Sequence, residues 1–263
     1  MDQVKPKMSR ERPRDSREFD TSSLGDHHAA ILHRDYSAHF WRWSFARRFV
    51  NMKDNVLEVG CGPEWPLAKI LTGGIQRLVN SYVGVDLNKV KPTNSQRIAV
   101  LGEFDFVRRW RELEFEGGYD VIVHYEVIEH MKVVHGRTLL KACHALLRPE
   151  GIMLMSTPCY DGVRHAANHI HEYDVDELRR YVESAGFDVL NRFGTFMDIK
   201  HIGKELPTLP ADCNLQPENL RKAVQIVKQR LERYFDNDAI SCIFAPLYPD
   251  TARNNLWVCQ KKK

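Results

Sequence analysis

Short apolar runs alternating with helical segments constrain this chain more than any other feature. The runs are Asn55–Val59, Tyr82–Val85, Ile98–Leu101, Val121–Val123, Ile152–Met155 and a sixth that begins at Phe187–Leu190. Helical patterns precede or separate them at Asp35–Val50, Pro66–Leu71, 135–147 and Val175–Ser184, the last closed by Gly186. Strands this short and this uniformly apolar are buried on both faces, which predicts a parallel sheet covered by helices on either side. Right-handed crossovers then put the carboxyl ends of the strands along one edge, where ligands of open α/β sheets bind.

The remainder of the chain divides around this core. Residues 1–25 alternate in charge without apolar periodicity and are expected to form a flexible tail. Residues 26–195 carry the alternating core. Residues 196–238 interrupt it with a predicted helix, Pro217–Phe235, whose Leu220, Val224, Val227, Leu231 and Tyr234 fall on one stripe and whose other face holds Arg221, Lys222, Lys228, Arg230 and Arg233. This insertion is a lid candidate. Residues 239–263 read as a terminal strand pair, Ala239–Leu247 and Asn255–Gln260, completing the sheet. In the first helix, Phe40, Trp43, Ala46 and Phe49 form the expected apolar stripe.

Composition narrows the function classes. With 263 residues, 43% hydrophobic and 28% charged, the chain is an ordinary globular one, which excludes global disorder, collagen and coiled coil. No apolar run approaches the ~18 residues of a membrane helix, and Met1 to Asp20 lacks the apolar stretch of a secretory signal. A net charge of +3 does not mark a nucleic-acid binder. The six cysteines, Cys61, Cys143, Cys159, Cys213, Cys242 and Cys259, are scattered and form no CxxC, arguing against a zinc site or a disulfide framework. The expected compartment is a reducing cytoplasm.

Three places on the ligand edge carry chemistry. The first strand and turn read VLEVGCGPEW, where Gly60 and Gly62 permit a sharp turn and close backbone approach to a ligand. A dinucleotide fingerprint needs a third glycine at the position of Trp65, which disfavours NAD and FAD. Glu58 stands two residues before the first glycine, and the second strand ends in Asp86, placed to accept from a ribose diol. After the fourth strand comes HYEVIEH. On a helix, Glu126, Glu129 and His130 share a face, so that two carboxylates and an imidazole can converge on one divalent cation. After the fifth strand, RHAANHIHEYD offers His165, His169 and His171. Cys159 lies where a cysteine nucleophile sits in some enzymes, but no companion motif follows the fourth strand, so a plain turn is expected. Trp41 and Trp43 read as core residues and the arginines of the tail as solvated.

VLEVGCG, VGVDLN and YDVIVHYEVIEHM, in that order and spacing, resemble the class I S-adenosylmethionine (SAM)-dependent methyltransferases over residues 36–195. The resemblance implies a Rossmann-like sheet of seven mostly parallel strands. It assigns Gly60 and Gly62 to the methionine portion of SAM, Asp86 to the ribose, and Glu103 and Phe104 to the adenine. Glu58 and Tyr125 join the cofactor set. HFWRWSFA resembles an H-x-x-R-[YW]-x-F-A segment in which the arginine contacts the SAM carboxylate, which makes Arg42 a cofactor residue. Relatives usually carry glycine where this chain has Glu64. The ExxEH run is similar to that of the ubiquinone-pathway O-methyltransferases and of the Hen-type enzymes that methylate the 2′-hydroxyl at RNA 3′ ends. Both imply Mg²⁺, Mn²⁺ or a similar ion on Glu126, Glu129 and His130. His169-Ile170-His171-Glu172-Tyr173 matches the Hen-type H-x-x-E-[WY] segment and adds His169 as the fourth ligand.

The function expected from these residues is O-methylation of a small-molecule hydroxyl, with His130, His169 and Glu126 as candidate proton acceptors. Two alternatives stand beside it: metal-dependent 2′-O-methylation of RNA, and a methyltransferase-like module that binds without catalysing.

Overall fold

The computed structural model describes residues 34–72, 79–91, 93, 97–163, 166–208 and 216–263. The expected tail at 1–25, His165 and Cys213 lie outside the described residues. The chain enters through helix α1 (Arg34–Ala46) and a 3-10 turn at Arg47–Phe49. Strand β1 (Asn55–Val59), helix α2 (Pro66–Thr72), β2 (Ser81–Val85) and β3 (Ile98–Leu101) follow. Next come the short α3 (Phe106–Arg109), capped by Asp105, then β4 (Tyr119–Tyr125), α4 (Val133–Leu146), β5 (Leu147–Pro158), α5 (Val175–Ser184) and β6 (Phe187–Phe196). Helices α6 (Pro217–Leu231) and α7 (Asn237–Phe244) precede the last strand, β7 (Asn254–Lys261).

The seven strands form one sheet in the order β3-β2-β1-β4-β5-β7-β6. β7 is antiparallel to both β5 and β6, so β6 runs parallel to the first five and ends on the ligand edge, as expected. Alternate residues of β1 feed opposite cores. Leu57 and Val59 pack with Leu139, Leu140 and Cys143 of α4, whereas Val56 packs with Phe45 and Ala46 of α1 and with Leu67 and Leu71 of α2.

Three expectations are corrected. The run Ala239–Leu247 is not a strand but α7 followed by a 3-10 turn, Ala245–Leu247, so no terminal strand pair exists and β7 closes the sheet alone. A mostly apolar run of that length does not distinguish strand from buried helix. The Asp236 carboxylate decides it by accepting from the Ala239 backbone N–H at 2.8 Å, a helix N-cap. The buried face of α1 is Ala38, Arg42, Phe45 and Ala46 rather than the stripe through Phe40, which is 53% exposed. Helix α6 stops at Leu231, and only Val224 of its apolar stripe is buried. Leu220 and Leu231 pack partly, and Val227 and Tyr234 are exposed.

The segment between β6 and β7 has its own small core of Met197, Ile202, Val224, Ile240, Phe244, Ala245, Tyr248 and Ala252. The Ser241 hydroxyl ties α7 to the end of β6, accepting from Met197 N at 2.9 Å and donating to Met197 O at 2.7 Å. No helix among the described residues is long and apolar enough to cross a membrane.

Candidate active site

The glycine turn after β1 is tied to β2. Gly60 N and Cys61 N donate to Val85 O at 2.8 and 3.2 Å. Gly60 (φ +76°) and Gly62 (φ +73°) are both left-handed, and a Cβ on Gly60 would lie 2.4 Å from Val127 Cγ2. At Gly60 backbone conformation and space therefore both demand glycine. The Asp86 carboxylate accepts from Gly62 N at 2.9 Å and Asn88 N at 2.8 Å, one to each oxygen, so it shapes the turn as well as facing the edge. Glu64 does not close the turn. Its carboxylate points outward to Lys69 and Lys91 at 3.0 and 3.5 Å. Trp65 takes the left-handed conformation (φ 38°), and its indole N–H donates to Lys91 O at 3.0 Å.

Beyond β3, Glu103 is exposed and left-handed (φ 53°), and Phe104 N donates to Asp86 O at 2.9 Å. The Phe104 ring is buried with the Arg109 guanidinium 4.3 Å from its centroid, so one face of the expected adenine contact is already covered.

Beneath the turn, Glu58 is buried and accepts from the Tyr82 hydroxyl. Burial raises its carboxyl from 4.5 to about 8, with Asp86 adding to the rise and the Tyr82 bond opposing it. The folded chain holds this proton where the unfolded chain has lost it, so stability from this group falls as pH rises from about 4.5 to about 8. Glu58→Gln keeps a partner for Tyr82 and removes the titration. Its urea-unfolding free energy should gain on wild type by on the order of 2–4 kcal/mol between about pH 5 and about pH 8. A gap independent of pH would show that Glu58 is ionised in the fold.

Arg42 reaches the edge from α1, only 2% exposed. Its Nη1 donates to Thr195 Oγ1 at 3.4 Å and lies 3.6 Å from Glu126 Oε1, while its Nε has no partner among the described residues. Tyr125 is buried beside Arg42 and Glu58, its hydroxyl unpartnered and its pKa raised by burial.

The segment after β4 is not a helix carrying three ligands on one face. Glu126 is left-handed (φ 54°), and Ile128–His130 form one 3-10 turn. Glu126 is directed to Ser156 Oγ at 2.7 Å and Asn254 Nδ2 at 2.6 Å and is not one of the converging ligands. Glu129, His130 and His169 do converge, with one ligand atom of each within 4.8 Å of the others. Glu129 is fully buried. Thr157 Oγ1 donates to its Oε2 at 3.0 Å, and its Oε1 is unpartnered. Burial, then the charge of Glu126, raises the Glu129 carboxyl, and burial lowers the His130 imidazole. Each imidazole has its Nδ1 engaged, His130 by Asn168 O at 3.1 Å and His169 by the buried Glu172 carboxylate. That leaves Nε2 of each ring as the nitrogen open to a proton or a cation.

Cys159 accepts from Asn255 Nδ2 at 2.9 Å, and burial pushes its thiol up to about 12, the opposite of an activated nucleophile. Trp41 stacks on Phe45 within the α1 core at 5.1 Å between ring centroids. Sequence reading did not single out Ser156, Thr195 or Asn254, whose polar side chains lie in apolar strands and carry no motif. It quoted Glu172 within a motif without giving it a role.

A family model described as a methyltransferase domain matches residues 33–191. The chain belongs to this family. The matched stretch contains the glycine turn, Asp86 and the histidine group. It excludes the β6–β7 segment and β7. Among curated relatives, a ubiquinone biosynthesis O-methyltransferase of Agrobacterium fabrum is 24% identical over 55% of this chain and 63% of its own length. A probable S-adenosylmethionine-dependent methyltransferase of Mycolicibacterium smegmatis is 32% identical over 34% and 38%. The chain thus spans less than two thirds of the length of these relatives. Of solved structures, a SAM-dependent methyltransferase from Archaeoglobus fulgidus superposes with a TM-score of 0.55 at 15% identity, covering 89% of this chain and 97% of that one. The [4+2]-cyclase SpnF superposes with a TM-score of 0.54 at 10% identity, covering 93% and 86%. These likenesses extend the class I methyltransferase fold over the whole sheet. The seven-stranded sheet carries an additional helical segment, α6 and α7, before β7.

Proposed function

We propose that this chain is a SAM-dependent methyltransferase acting on a hydroxyl group of a small molecule. The observation that carries the O-directed reading is the imidazole pair, each ring with Nδ1 engaged and Nε2 open beside the carboxyl edge. The curated relatives named for ubiquinone biosynthesis O-methylation support the same class of acceptor. The sulfonium of SAM supplies an already activated methyl group, transferred in line as its carbon–sulfur bond breaks. His169 takes the acceptor's proton on Nε2, and Glu172 stabilises the imidazolium that forms. Asp86 and Arg42 hold the cofactor's ribose and carboxylate, and Glu58 and Tyr125 underlie it. The β6–β7 segment, with its own core, walls the acceptor pocket and sets substrate choice.

A second reading is favoured by the convergence of Glu129, His130 and His169. One carboxylate with an unpartnered oxygen and two imidazoles fit a divalent cation such as Mn²⁺ or Mg²⁺. Such an ion would acidify the acceptor hydroxyl. Labelled SAM incubated with metabolite and RNA extracts tests both readings. Label in the small-molecule fraction that is insensitive to EDTA supports the imidazole base. Label that disappears in EDTA and returns with Mn²⁺ or Mg²⁺ supports the ion. Label in RNA overturns the small-molecule acceptor, and bound SAM with no product overturns catalysis.

A further inference from the structure

Four residues, from α1, the loop after β4, β6 and β7, close a polar ring at the root of the β6–β7 segment. Arg42 Nη1 of α1 donates to Thr195 Oγ1 of β6 at 3.4 Å. Thr195 Oγ1 donates to the carbonyl oxygen of Asn254, the first residue of β7, at 3.3 Å. Asn254 Nδ2 donates to Glu126 Oε2 at 2.6 Å, and Glu126 Oε1 returns to Arg42 Nη1 at 3.6 Å. Thr195 is the next-to-last residue of β6 and Asn254 the first of β7, so the two flank the points at which the helical segment leaves the sheet and re-enters it.

The local backbone is built for this ring. The β6–β7 register shifts between Gly194 and Phe196, so Thr195 is the extra residue of a bulge, a device that re-aims a side chain out of the ladder. Glu126 holds a left-handed conformation that costs a non-glycine residue energy, and its N–H is fixed to Ser156 O at 2.9 Å. Arg42 and Thr195 are each 2% exposed. A buried guanidinium held by a hydroxyl and a carboxylate is fixed in orientation, and here its Nε remains unpartnered.

We infer that Thr195 and Asn254 are positioning residues for the amino-acid portion of the cofactor. They act on it through Arg42 and Glu126 and latch both ends of the β6–β7 segment to the cofactor arginine. The inference rests on the reading of Arg42 as the carboxylate contact. Thr195 and Asn254 lie outside the stretch matched by the family model, whereas Arg42 and Glu126 lie within it.

Two probes separate positioning from structural support. S-adenosylhomocysteine carries the amino-acid portion, and 5′-methylthioadenosine has the same nucleoside without it. Calorimetry on the full-length chain should show Thr195→Val and Asn254→Ala weakening S-adenosylhomocysteine on the order of tenfold, as expected for loss of a buried bond to a charged group. Binding of 5′-methylthioadenosine should be unchanged. Thr195→Ser retains the hydroxyl and should restore wild-type affinity for both. Equal weakening of both probes, or no weakening of S-adenosylhomocysteine, overturns the proposal. Failure of wild type to bind either probe instead removes the cofactor reading on which it rests. If Thr195→Val or Asn254→Ala does not fold, Thr195→Ala or Asn254→Ser takes its place, judged by the same ratio of the two affinities.

Discussion

His169→Ala should slow methyl transfer roughly 10²–10⁴-fold, the usual worth of a positioned general base. It should leave S-adenosylhomocysteine affinity nearly unchanged, because the side chain lies in the histidine group and not on the glycine turn. The expectation follows from the buried Glu172 carboxylate, which occupies Nδ1 and so presents Nε2 as the basic nitrogen. Glu172→Gln removes the charge that favours the imidazolium but keeps an acceptor for Nδ1–H. It should lower the rate less than His169→Ala and shift the rising limb of the pH–rate profile toward lower pH, since loss of the anion favours the neutral imidazole that acts as the base. That second variant distinguishes an oriented base from a packing residue, which would not move the profile. Single-turnover rates with saturating cofactor are the measurement. A full rate in His169→Ala would transfer the role to His130.

Asp86→Ala should weaken cofactor binding by well over tenfold, because the carboxylate serves two purposes at once. It faces the edge where a ribose diol would be held, and it accepts from Gly62 N and Asn88 N on separate oxygens. Its removal leaves two backbone donors without their carboxylate and loosens the glycine turn, each charge-assisted bond being worth about 1.5–3 kcal/mol. Asp86→Asn can satisfy only one of the two donors and should fall between. Calorimetric affinities accompanied by urea unfolding curves check this. Unchanged affinity in a folded variant would place the ribose elsewhere.

Much of the fold is legible in the residues because strands buried on both faces announce themselves as unbroken apolar runs. β1 appears at the expected bounds and is buried on both faces; β3 also keeps its expected bounds although it is an edge strand with Ala99 and Leu101 exposed, and the parallel direction of β6 follows from the same alternation. Ala239–Leu247 failed for the complementary reason. An apolar run of nine residues suits a strand or a buried helix equally, and the deciding group, the Asp236 cap, lies outside the run.

The site divides similarly. Gly60, Gly62 and Asp86 are readable because their chemistry is local, two turns on adjacent strands joined by one carboxylate. Glu126 is not readable, since helical spacing places it with Glu129 and His130, whereas its left-handed backbone and Asn254, 128 positions away, direct it to Arg42. Thr195 is equally invisible, because its orientation depends on a bulge created by pairing with β7. Long-range polar partners of this kind leave no periodicity in the sequence.

Calorimetric titration of the full-length chain with S-adenosylhomocysteine tests the central claim, a SAM site on the carboxyl edge of β1 and β2, most directly. Saturable one-to-one binding that is strongly weakened by Asp86→Ala and blocked by Gly60→Ala is the predicted result. Gly60→Ala would force a methyl group against Val127 in a left-handed turn. Absence of binding to the folded wild-type chain, or binding indifferent to both substitutions, would contradict it.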